Sequence, residues 1–100
     1  MTVAEPDERW AELGRQACLA LAPLFRTIEH VGSTAATGPA AQPVISLVAS
    51  IDDLDDVDER ALETFGYRTA PSEVRDRRFY RREDYDSTAY HLHVTVRNGG

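Results

Sequence analysis

The chemistry-bearing residues of this chain gather in a few places. His91-Leu92-His93 sets two imidazoles two positions apart. On a strand such residues share one face about 6.5–7 Å apart, close enough to serve one phosphate or metal ion with His30 or Glu29 as a further group. The pair fits equally well as two plain histidines on a polar strand face. Gly32-Ser33-Thr34 follows an apolar stretch. Glycine lets backbone approach a ligand, and hydroxyls with free N–H groups cradle phosphate, although a plain turn uses the same residues. Arg68, Arg75, Arg77, Arg78, Arg81 and Arg82 crowd the last third, and guanidinium forks match phosphate or carboxylate oxygens. They serve as readily as counter-charges to Asp52, Asp53, Asp55, Asp56, Asp58, Glu59 and Glu63. The paired aspartates can hold Mg2+ through oxygen, but acids at a helix start are favoured by the helix dipole alone.

Composition narrows the chemistry. The chain has 100 residues, 17 acidic against 11 basic, and a formal net charge of -6. Every basic residue is arginine, which excludes a lysine nucleophile, a Schiff base and a Walker-type lysine loop. The acidic balance argues against nucleic acid as a partner, since that binding displaces counterions with basic charge. Cys18 is alone, which excludes an internal disulfide or a cysteine-based zinc site, and it suits a small buried filler. The first ten residues carry no apolar signal core. The longest uncharged run, residues 31–51, is broken by Gly, Pro, Ser, Thr and Gln and is no membrane span. The expectation is a cytoplasmic protein without a membrane partner.

The elements that must position these groups read as one domain over residues 1–100. Asp7 suits a helix N-cap, and Trp10, Leu13, Ala17, Leu21 and Leu24 recur at helical spacing until Pro23 ends the helix. Residues 25–31 predict a strand that Gly32-Ser33-Thr34 breaks, followed by a loop or short irregular helix over 35–43. Residues 44–51 are the strongest strand signal. Asp52 then opens an acidic helix carrying Leu54, Val57, Ala61, Leu62 and Phe65, with Gly66 as its C-cap. After an arginine-rich loop, residues 78–82 and 90–96 read as an antiparallel hairpin around a polar turn. Leu92, Val94 and Val96 take one face of its second strand, and His91, His93 and Thr95 the other. Residues 97–100 read as a frayed end. The order helix-strand-loop-strand-helix-strand-strand is an α+β domain with a small mixed sheet.

Ile28-Glu29-His30-Val31-Gly32-Ser33-Thr34-Ala35 resembles the signature of the GrpB family. The likeness continues through Thr37-Gly38-Pro39-Ala40-Ala41-Gln42-Pro43-Val44-Ile45-Ser46-Leu47, then Phe65-Gly66-Tyr67, Asp76-Arg77-Arg78-Phe79-Tyr80 and His91-Leu92-His93-Val94, in order. That family is similar to the nucleotidyltransferase superfamily. The resemblance implies a nucleotidyltransferase-like sheet and a nucleotide triphosphate with Mg2+. It also implies a Gly-Ser turn for the phosphates and a following strand whose carboxylates fix two metal ions. Carried over, Gly32, Ser33 and Thr34 form the phosphate turn, while Arg77, Arg78, His91 and His93 line the pocket. The chain departs at the metal: Gln42 replaces the family's lysine, Ser46 its aspartate, and Val48 stands at the alternate position. A serine hydroxyl is a poor Mg2+ ligand without a carboxylate beside it, so no metal ligands are assigned. The reading is a retained nucleotide-, phosphate- or small-anion pocket, with His91 or His93 supplying acid–base chemistry and Glu29 and His30 beside them. The alternative is a non-catalytic accessory or protein-interaction module. Family members continue into a helical tail, so a homodimer or partner protein is expected to cover the surface left bare.

Overall fold

Helical spacing at Trp10, Leu13, Ala17 and Leu21 becomes α1 (Glu8–Leu21), whose Ala17 and Leu21 are buried. Pro23 does end it, sitting in a 3-10 turn, Ala22–Leu24. The computed structural model describes residues 8–35, 43–71, 77–84 and 88–96. The Asp7 cap, the 35–43 connection beyond Ala35, Gln42, Arg75, the middle of the polar turn and the chain end lie outside them.

Five strands follow: β1 (Thr27–Ala35), β2 (Pro43–Ile51), β3 (Arg68–Ala70), β4 (Arg77–Glu83) and β5 (Ala89–Val96), with α2 (Glu59–Thr64) between β2 and β3. They form one sheet in the order β1-β2-β5-β4-β3. β2 and β5 are parallel, and every other neighbouring pair is antiparallel. The mixed α+β sheet and the β4–β5 hairpin are as the sequence predicts. Ile45, Leu47 and Ala49 of β2 join Tyr90, Leu92 and Val94 of β5 in a core that α1 and Leu62 of α2 cover from one side. Tyr67 is buried in this core, and its hydroxyl has no hydrogen-bond partner among the described residues. Burial pushes that phenol up to about 12 against the pull of Arg82. No helix among the described residues is long and apolar enough to cross a membrane.

Three expectations change. β1 does not stop at Gly32: the ladder continues to the pair Ala35 and Pro43, with a register shift between His30 and Gly32. A bulge at Val31 absorbs the irregular residue and lets pairing resume, so glycine here serves a strand rather than a turn. The acidic helix is not continuous. Asp53 accepts from the Asp55 N–H and starts a 3-10 turn, Leu54–Asp56, and Asp58 then accepts from the Ala61 N–H and starts α2 afresh. Each aspartate competes for the backbone and so restarts the chain. Finally, the arginine-rich stretch contains β3, a strand too short to show an alternating pattern.

Candidate functional site

The sheet face turned away from the helices is built from alternate residues of neighbouring strands. Cross-strand register sets them in three rows: Thr27, Ser50, Thr95 and Arg77; then Glu29, Val48, His93, Phe79 and Ala70; then Gly32, Ser46, His91, Arg81 and Arg68. Neighbouring strands lie about 4.8 Å apart, so Ser46 and Arg81 flank His91 directly. The β5 alternation that buries Tyr90, Leu92 and Val94 leaves His91 and His93 half-buried on this face. Thr27 and Ser50 join their hydroxyls across β1 and β2 at 2.6 Å.

Phe79 lies against both imidazoles. Its ring stacks on His93 at 4.8 Å with the planes 20° apart, and meets His91 edge-on at 5.2 Å. Burial lowers both imidazoles below the usual histidine range; Arg81 and then His93 push His91 the same way, and Arg77 does so for His93. Two neutral imidazoles, each with one donor and one acceptor nitrogen, therefore face solvent beside guanidinium groups at neutral pH.

The four residues grouped as catalytic do not meet. His30 pairs with Leu47, so it projects to the helix side, where a methyl group on Gly14 would fall within 3.0 Å of its ring. Glu29 shares the open face but lies two strands from His93, about 9–10 Å away. Burial, and then the charge of Glu29, raises the thiol of Cys18. That suits a filler rather than a nucleophile.

Arg77 and Arg78 also part company, because adjacent strand residues point to opposite faces. Arg77 joins the row of Thr95, whereas Arg78 contacts Glu59 at 3.3 Å and Asp55 at 3.4 Å on the other side. Arg78 is a counter-charge to the acidic segment and does not line the open face. Tyr80 donates to the same Glu59 at 2.7 Å, and Arg26 pairs with Asp52 at 2.7 Å. Asp52, Asp53, Asp55 and Asp58 are thus spent on caps and ion pairs. Gly32 stands opposite Ser46, and the side chains of Ser33 and Thr34 lie outside the described parts. Sequence reasoning named Arg68 and Arg81 within the arginine cluster without placing them on the face, and missed Phe79. The period-two alternation of 77, 79 and 81 carries that signal once β4 is read as a strand.

The residues of this face do not fit a pair of Mg2+ ions. The strand that should carry alternate carboxylates shows Ser46, Val48 and Ser50 instead. Among the described residues the face draws carboxylates from Glu29 and Glu83, on β1 and β4, three strand spacings and four residues of strand apart, roughly 19 Å. No three His, Cys, Asp or Glu groups of the described residues gather around a common point. A groove of about 1030 Å3 lies at the β3 edge, two strands from the imidazoles of β5, where Arg68 and Arg81 join its lining.

The GrpB protein family model matches residues 1–99. The crystal structure of conserved protein GrpB from Enterococcus faecalis has the same fold, with a TM-score of 0.72 at 22% identity. The match covers 98% of this chain and 63% of that one, so the chain spans less than two thirds of its solved relative. No curated protein matches. With its four sequence blocks in order and a family match along nearly its whole length, the chain belongs to the GrpB family.

Proposed function

We propose that the open sheet face binds a small phosphorylated or otherwise oxyanionic ligand, nucleotides included. Arg77 and Arg81 supply positive charge, Ser46 a hydroxyl, and His91 and His93 donors held neutral. The observation that carries this reading is the three adjacent rows in which these groups stand, on a face that no helix of the described residues covers. Where the ligand reacts, a neutral imidazole can take a proton from its hydroxyl or from water, which is acid–base chemistry rather than two-metal transfer. Burial disfavours the imidazolium, and Arg81 beside His91 and Arg77 beside His93 add to that; an anion that compensates the arginines therefore couples its binding to proton uptake.

Calorimetric titration with ATP, ADP and inorganic phosphate tests this. Binding is expected to persist in EDTA, because the face lacks a Mg2+ donor set, and to weaken about tenfold or more in His93→Ala, the loss of one charge-assisted contact. Absence of heat with every anion overturns it. A second reading, a non-catalytic module that meets another protein or a second copy, is favoured by Val48 and Phe79, apolar side chains in the middle of the same face. A sizing column reads that directly: a concentration-independent monomer removes the homodimer.

A further inference from the structure

Arg68 and Arg81 are direct cross-strand partners on β3 and β4. Like charges set opposite one another destabilise a sheet. Both line the groove at the β3 edge with Ala70 and Pro71, and the carboxylates Glu63 and Glu83 line it as well. Glu83 reaches Arg81 at 3.6 Å, with both side chains about half exposed (54% and 52%), a loose contact of small worth. Arg68 makes no ion pair among the described residues. The groove, at about 1030 Å3, is the size that accepts an organic molecule rather than a lone ion.

We propose that Arg68 and Arg81 form an oxyanion clamp at the β3 edge, which takes the phosphate or carboxylate group of an organic ligand whose body lies along Ala70 and Pro71. An oxyanion between the two guanidinium forks removes the repulsion and makes paired hydrogen bonds to both. This deepens the open-face reading and rests on it for Arg81, which borders His91; Arg68 belongs to the clamp alone.

Thermal unfolding of wild type, Arg68→Gln and His93→Ala in phosphate, and in chloride at equal ionic strength, separates the two ideas. In chloride, Arg68→Gln is expected to melt no lower than wild type, since it relieves a like-charge pair. Phosphate at roughly ten times its dissociation constant is expected to raise the wild-type midpoint by at least about 5 °C beyond chloride. That rise disappears in Arg68→Gln. An equal rise in all three proteins is the general salting effect of phosphate and overturns the clamp. So does a lower midpoint for Arg68→Gln in chloride, which makes Arg68 structural. Loss of the rise in His93→Ala alone overturns the clamp and leaves the open-face reading standing. Loss in Arg68→Gln alone supports the clamp and removes the imidazoles from phosphate binding.

Discussion

Each imidazole on β5 lies against the Phe79 ring and near a guanidinium, and burial first, then the guanidinium charge, favours its neutral form. Free histidine holds its proton up to about pH 6.5, while burial and then arginine charge make His91 and His93 release theirs at lower pH. Between those values the unfolded chain binds more protons than the folded one, so stability rises with pH. The melting temperature is expected to hold from pH 8 to about 7 and to fall as pH drops through 6.5 toward 5.5, less steeply in His93→Gln. A midpoint that climbs on acidification contradicts the placement of these groups. Gly14 makes a second argument at this scale. Alanine there adds about 1 kcal/mol of helix propensity, but its methyl meets the His30 ring closer than 3.0 Å, and such overpacking costs about 1–3 kcal/mol. Gly14→Ala is therefore expected to destabilise wild type and to stabilise a His30→Ala background, a coupling that urea unfolding of the four proteins measures.

Among the elements, α2 ends most sharply. Gly66 has φ 92°; its N–H bonds the Glu63 carbonyl, and the Tyr67 N–H bonds Leu62, both at 2.9 Å. This is the paired closure that needs a left-handed residue, with Tyr67 and Leu62 making the apolar contact beneath it. Gly66→Ala is expected to cost about 1–2 kcal/mol in urea unfolding. The cost comes from the backbone, since the added methyl would meet Arg82 carbons only at 3.5–3.6 Å, an ordinary contact. The elements that could be read from sequence were those with long patterns: the α1 stripe, the apolar run of β2 and the alternation in β5. Arg68-Thr69-Ala70 offers three residues and no alternation, and becomes a strand only because β4 pairs with it. The restart of the helix at Asp58 was hidden because capping acids and first-turn acids look alike in sequence.

At the scale of the molecule, the acidic excess concentrates between Asp52 and Glu63, and Arg78 and Arg26 answer it there. The open face keeps Arg68, Arg77 and Arg81 on the opposite side of the sheet. An acidic protein thereby retains a cationic surface. The site was half legible: period-two spacing put His91 and His93 together, but a register no local pattern reveals sent His30 to the helix side and brought Ser46 beside His91. One helix-covered face is a small core, so a wholly buried residue matters greatly. Leu92, with no exposure, is expected to cost about 2–5 kcal/mol as Leu92→Ala, out of a total of order 5–15, and calorimetry should show a broad, low transition. The parallel pairing of β2 with β5 has a temporal consequence. β1–β2 and β3–β4–β5 are antiparallel sets of chain neighbours, whereas Val44 must find Ala89 across a long loop, the slow kind of closure. Ser46 stands on one side of that seam and His91 on the other. A chain still emerging from the ribosome lacks the open face until β5 is released, and any native opening along the seam dismantles the site before the rest of the fold.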